Sequence, residues 1–291
     1  MTPIKLWQPR TGQSYYQDNL IKNESALWGP RAIAVASGKG GVGKTSIVVN
    51  LALCLAKMGN RVTVFDADLG LANAEVLLGI VPPYSLFEVL YGGMTLDEIA
   101  VQGPCGIRVI SGGSGFLEMA NLDRSRRQQL LRMFNHFVGK DEIVLIDTGA
   151  GINKNVLGFV AAAEEVIIVV TPEPTSLTDA YALIKILANF KLHSEVNVVV
   201  NRAADRNEAM RTLGRISTAT GRFLDIKINF LGWVPDDKLV TQAVKSQQPY
   251  YITNHNSPAS RSITKIAELL VGGSRLATKE GFWTKLMGLF S

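Results

Sequence analysis

The chain has 291 residues, 47% hydrophobic and 19% charged, an ordinary globular balance that suffices for one large α/β domain or two small ones. Its net charge of +5 is compatible with an anionic membrane surface or with nucleic acid and selects neither. Two cysteines, Cys54 and Cys105, fit no disulfide framework or metal-ligand spacing and point to a reducing cytoplasm, while the lack of a leader-like segment and of an apolar run of about 18 residues argues against export and against a membrane span.

Residues 1–30 are polar and aromatic, an appendage with one short helical pattern over Ser14 to Lys22. From Arg31 onward, β-branched runs alternate with helical patterns and predict strands at 32–36, 61–66, 107–111, 142–147, 165–171, 195–201 and 227–233. That rhythm predicts an α/β fold, a doubly wound and mostly parallel sheet with helices on both faces. Right-handed crossovers then bring the loops that follow the strands to one edge, where such a sheet binds its ligand. Ser46 to Lys57 reads as a helix with Cys54 in the core, and Arg124-Ser125-Arg126-Arg127 reads as a solvated helix start. Gly272-Gly273-Ser274 reads as a linker to a short separate segment, which divides the chain into 1–30, 31–271 and 272–291.

Between the first strand and the first helix stands Gly38-Lys39-Gly40-Gly41-Val42-Gly43-Lys44-Thr45, a complete G-x-x-x-x-G-K-[ST] phosphate loop with a second lysine near its start. Glycines let the backbone bend so that the N–H groups of Gly40, Gly41, Val42 and Gly43, and the helix start at Lys44, Thr45 and Ser46, point at negative charge. Lys44 is expected to reach the terminal phosphates and Thr45 to hold Mg²⁺. Two later strands end in carboxylates at the same edge: Asp66-Ala67-Asp68-Leu69-Gly70-Leu71-Ala72-Asn73 and Asp147-Thr148-Gly149-Ala150-Gly151. Asp147 and Asp66 are the metal-site candidates, with a helix-capping carboxylate as the alternative for each. At the far end of the chain, Phe282, Trp283, Leu286, Met287, Leu289 and Phe290 form a broad apolar face on a helix flanked by Lys279 and Lys285. This segment is too short to span a bilayer and suits an interfacial anchor, weak in one copy and stronger in two; the alternative is a helix folded onto the body.

The loop KGGVGKT with Lys39, the D-A-D-L-G-L-A-N segment and the D-T-G-A-G segment together resemble the MinD/ParA group of deviant-Walker ATPases over roughly residues 31–270. Within it, the stretch from Thr171 to Lys185 is similar to the FlhG branch of flagellar regulators. The resemblance implies an ATPase that turns ATP into ADP and phosphate with Mg²⁺, two subunits sandwiching two nucleotides, Lys39 reaching the partner's nucleotide, and Asp68 activating the attacking water. It implies adenine contacts from Asn201, Arg202, Pro235 and Asp236. It also implies an FlhF-type signal-recognition GTPase and flagellar basal-body components as partners, and reversible residence on the anionic inner face of the cell membrane. The D-Q-A-x-x-L-R motif of that branch has its counterpart in Tyr16-Gln17-Asp18-Asn19-Leu20-Ile21-Lys22, where Gln17 is kept, Ile21 and Lys22 replace Leu and Arg, and the Asp and Ala are lost. A ParA-like DNA-partitioning ATPase and a MinD-like division-site regulator are the alternatives; the apolar C-terminal segment argues against the former, and against nucleic acid as a partner.

Overall fold

The structure, a computed structural model, describes residues 31–68, 73–113, 133, 143–273 and 282–289. The appendage with Gln17, Leu20, Ile21 and Lys22, the Arg124–Arg127 segment, the Leu69–Ala72 stretch, Phe290 and the side chain of Trp283 lie outside the described residues.

The first half of the chain comprises β1 (Arg31–Ser37), α1 (Lys44–Lys57), β2 (Val62–Ala67), α2 (Asn73–Leu78), α3 (Leu86–Tyr91), α4 (Leu96–Ile99), β3 (Val101–Gln102) and β4 (Arg108–Ser111). There follow β5 (Ile143–Ala150), α5 (Lys154–Ala162), β6 (Glu165–Val170), α6 (Pro174–Asn189), β7 (Glu195–Ala203), α7 (Arg206–Phe223) and β8 (Lys227–Pro235). Four helices close the chain: α8 (Lys238–Lys245), α9 (Tyr250–Thr253), α10 (Pro258–Gly272) and α11 (Phe282–Leu289). The eight strands form one sheet in the order β3-β4-β2-β5-β1-β6-β7-β8. Every predicted strand is present, and all pair in parallel except the two-residue β3, which runs antiparallel along the edge and carries no periodicity long enough to read from sequence.

Strand alternation builds the two layers. In β1 every residue is buried, with Ala32, Ala34 and Ala36 facing one layer and Ile33 and Val35 the other. The alanine side, short of bulk, lies in the layer of α5, α6 and α7, so those helices approach the sheet closely. The opposite layer is built on α1, whose Ile47, Val48, Leu51, Ala52 and Leu55 are all at most 1% exposed, packed with α10. Each large aliphatic side chain buried there contributes roughly 1.5–3 kcal/mol. Arg31 locks the layers at the base of β1: its guanidinium forms a two-pronged pair with Glu165 and also donates to the Leu270 carbonyl oxygen at 2.8 Å.

The C-terminal segment is not separate. Phe282, Leu286 and Met287 are 2%, 0% and 1% exposed and join the core cluster, packed on α5, so in this structure the apolar face expected to meet lipid is satisfied by the protein itself. Leu289, 51% exposed, is the part of that face left in water among its described residues. Leu286→Ala would open a cavity under α11 at a cost of about 2–5 kcal/mol. The expected outcome is faster proteolytic release of the last helix with the rest of the body still protected; equal cleavage rates in the two proteins would contradict this packing.

Candidate functional site

Register places the charges. Asp66 of β2 and Asp147 of β5 are direct Cα partners, and Asp147 is also opposite Val35 of β1, two residues before the strand gives way to the phosphate loop. The loop then turns into α1 through Gly43, whose φ of 88° is left-handed and whose missing Cβ makes room for the Asn201 amide. Gly38 is required for another reason: a Cβ there would overlap the backbone of Asp179 in α6. The result is a loop pressed between β7 and α6 that lines a cleft.

Gly40, Gly41, Val42, Gly43, Lys44, Thr45 and Ser46 line that cleft together with Asp68, and Asn201, Arg202, Pro235 and Asp236 form its other end. The structure thus gathers the expected phosphate and base contacts around one opening. Lys44 Nζ donates to Asp147 Oδ1 at 2.8 Å, with the two side chains 7% and 0% exposed. Burial pushes the Asp147 carboxyl up, opposed by the Lys44 ammonium and the Thr45 hydroxyl. Asp147 Oδ2 is buried without a hydrogen-bond partner among the described residues. A carboxylate oxygen with spare lone pairs beside a threonine hydroxyl is a hard-oxygen donor set that fits Mg²⁺.

Three expectations change in detail. Asp66 is not turned to the cleft: Oδ1 accepts from the Asp68 N–H at 3.0 Å, and Oδ2 accepts from Asn73 and Ala74 at 3.1 and 3.0 Å. It caps α2 and ties down the D-A-D segment, the arrangement of the capping alternative, with both oxygens engaged by backbone N–H groups. Its pKa is pushed up to about 7, first by burial and then by the Asp147 charge. Asn201 lines the cleft, yet its Nδ2 donates to the Val42 carbonyl oxygen at 2.7 Å, so part of the amide expected to read adenine holds the phosphate loop instead. Lys39 stands on the rim, where Nζ donates to Glu173 Oε2 at 2.9 Å and Thr175 Oγ1 at 3.1 Å.

Some of the site was missed. Val240 and Val244 of α8, with Val76 and Leu77 of α2, give the cleft an apolar wall, and buried Tyr250 closes it. The spacing of Val240 and Val244, one helical turn apart just after Pro235-Asp236-Asp237, carried that signal. Nothing in sequence pairs Lys39 with Glu173, because they lie 134 positions apart.

The sequence profile of the CobQ/CobB/MinD/ParA nucleotide binding domain matches residues 33–250. The chain belongs to that family. It is 39% identical over 248 residues to the antiactivator FleN of Pseudomonas aeruginosa, spanning 85% of this chain and 89% of FleN. Identity to the flagellum site-determining protein YlxH of Helicobacter pylori is 34% over 268 residues, 90% of each chain. The MinD cell division protein of Aquifex aeolicus shares the fold at a TM-score of 0.68 and 26% identity, over 84% of this chain and 98% of that one. The MinD-like P-loop architecture expected from the motifs is therefore the architecture of this protein, and the cleft lies within its nucleotide binding domain.

Lys44→Ala removes the counter-charge of a fully buried carboxylate, so it is expected to lower unfolding free energy by about 3–5 kcal/mol as well as to weaken nucleotide binding. Urea titration without nucleotide checks the first part; an unchanged midpoint would mean that the pair adds nothing to the fold. A second expectation concerns pH. Asp66 titrates near 3.8 when exposed and near 7 in the fold, so between those values the folded state binds the extra proton and stability falls as pH rises through this window, by up to a few kcal/mol. The urea midpoint of the nucleotide-free wild type, taken relative to that of Asp66→Asn, should decline from about pH 4 to about pH 7; a difference that rises over the same range would reverse the sign.

Proposed function

We propose that this protein is an ATP-hydrolysing switch that dimerises around ATP and Mg²⁺, sits reversibly on the inner face of the cell membrane, and regulates flagellar number or placement. The observation that carries the dimer is Lys39. Lys44 serves its own cleft, whereas Lys39, five positions earlier in the same loop, stands on the rim in a half-exposed pair with Glu173. A phosphate loop acting alone has no use for that second cation, and a lysine reaching the partner's nucleotide does. The 39% identity to FleN and the 34% identity to YlxH support the flagellar role.

In this reading the N–H groups from Gly40 to Gly43 cradle the phosphates, and Lys44 shifts from Asp147 toward their terminal charge. Thr45 and Asp147 would hold Mg²⁺, which would supply charge neutralisation for phosphoryl transfer. Asp68 orients the attacking water. Asn201, Arg202, Pro235 and Asp236 surround adenine. The terminal helix leaves α5 and lays Phe282, Trp283, Leu286, Met287, Leu289 and Phe290 into the headgroup boundary, with two copies per dimer reinforcing each other. Gln17, Leu20, Ile21 and Lys22 form the contact for an FlhF-type GTPase, and basal-body components are the further partners.

Asp68→Ala should bind ATP and Mg²⁺, hydrolyse on the order of 10²-fold more slowly, and elute as a persistent dimer in ATP during size-exclusion chromatography. Lys39→Ala should bind nucleotide and remain a monomer. Wild-type turnover by the first variant removes Asp68 from the chemistry, and ATP-dependent dimerisation of the second refutes the trans role.

A further inference from the structure

The helical layer that receives α11 carries a second surface feature that the switch does not use. Phe190 at the end of α6 and Phe223 at the end of α7 are 73% and 75% exposed. Both helices follow parallel strands and return, so both ends lie at the edge of the sheet away from the phosphate loop. The Lys227 N–H donates to the Ser194 carbonyl oxygen at 2.9 Å and joins the two turns that follow them.

Around these two rings cationic side chains outnumber acidic ones. Arg211, Arg215 and Arg222 repeat at spacings of four and seven, which puts them in one stripe about 16 Å long on the solvent side of α7, and they line a shallow groove with Gly214 that ends at Phe223. Lys185 on α6 and Lys191 in the turn just after it are exposed. From Ala180 to Lys191 and from Ala209 to Phe223 the chain has no acidic residue. Nearby, Asp225 is exposed and Glu195 is occupied by Lys227 and Asn229, so the surface remains strongly cationic. The patch also adjoins α5, the helix on which α11 packs. His193, two residues beyond Lys191, bonds the Val160 carbonyl oxygen of α5 at 2.7 Å and lies within electrostatic reach of Lys285 on α11.

We propose that this α6–α7 face, centred on Phe190, Lys191, Arg215, Arg222 and Phe223, is a second membrane contact that binds anionic phospholipid headgroups beside the terminal helix. It rests on the membrane reading above and extends it from the helix to the body of the protein. Arginine forks match headgroup phosphates, and exposed aromatic rings gain by entering the headgroup boundary. A nucleic-acid duplex would satisfy the arginines and leave the phenylalanines against a polar backbone, so a lipid surface complements the whole patch better. The face is away from the phosphate loop, leaving that edge free for a partner subunit.

The test uses the full-length protein with ATP, sedimented with vesicles of pure phosphatidylcholine and of phosphatidylcholine mixed with phosphatidylglycerol. Arg215→Glu/Arg222→Glu should weaken binding to the mixed vesicles on the order of tenfold or more, with binding to the neutral vesicles and ATP-dependent dimerisation unchanged. Phe190→Ser/Phe223→Ser should weaken binding to the mixed vesicles with less sensitivity to salt. All four positions are exposed, and normal dimerisation reports that the variants fold. If both variants match a wild type that binds, the patch is overturned and the terminal helix stands alone as the anchor. If the wild type binds neither vesicle in ATP, the membrane reading itself fails and takes the patch with it. If duplex DNA displaces the wild type from mixed vesicles and the arginine variant loses that competition, the face is a nucleic-acid surface and the lipid assignment is wrong.

Discussion

An ammonium and a carboxylate, Lys44 and Asp147, meet at 2.8 Å inside the carboxyl edge of the sheet, where almost no water reaches them. Removing two charges from water costs several kcal/mol for each ion, and a single hydrogen bond does not offset it fully. The surrounding structure is arranged to hold the pair. β5 is clamped between β2 and β1, so Asp147 cannot move, and Gly43 and Asn201 hold the loop that delivers Lys44. What is left over is informative. Asp147 Oδ2 has no protein partner among the described residues and the loop lines the cleft, so the pair keeps unused capacity that the proposed Mg²⁺ and nucleotide would take up. Stability is surrendered at the site where the proposed nucleotide would bind.

The two carboxylates at one register level show how environment divides labour between identical groups. Asp66 and Asp147 are neighbours across β2 and β5, and the Asp147 charge raises the cost of charging Asp66. Backbone N–H groups occupy both oxygens of Asp66, which makes it a fastener for the segment that carries Asp68. Asp147 receives the lysine and keeps one oxygen in reserve. Asp68, on the fastened segment, reaches the cleft, and a hypothetical Cβ on Gly149 would lie 3.5 Å from its carboxylate oxygen. The ends of β2 and β5 therefore touch at the residues through which the proposed cycle would pass.

Most of the fold was legible because strand periodicity and turn glycines are local signals. Seven strands, the phosphate loop and its helix follow from runs of a few residues each, and so do the positions of Asp66, Asp68 and Asp147. What sequence did not disclose is non-local. The commitment of Asn201 to Val42 and the resting pair of Lys39 with Glu173 depend on which loops the sheet order brings together. The apolar wall of Val240 and Val244 was hidden for a simpler reason, since an amphipathic helix announces that it buries a face and not what it buries that face against.

The terminal helix makes the same point with two competing partners. Phe282, Leu286 and Met287 are spaced to form one face, and the hydrophobic effect rewards burial of that face without regard to direction, in a protein groove or in a headgroup boundary. A helix seated on α5 must forfeit those contacts before it enters lipid, so only the difference between the two environments drives transfer. For a single short helix that difference is small, since each site removes nearly the same apolar area from water. In the proposed cycle a second tethered copy shifts the balance without any new contact, because the second insertion becomes intramolecular. Docking on α5 thus gives the proposed switch its threshold: it holds the lone protomer off the membrane by an amount that avidity overcomes. A terminal helix with no seat on the body would bind in either nucleotide state, and a seat much deeper than this one would hold it in both.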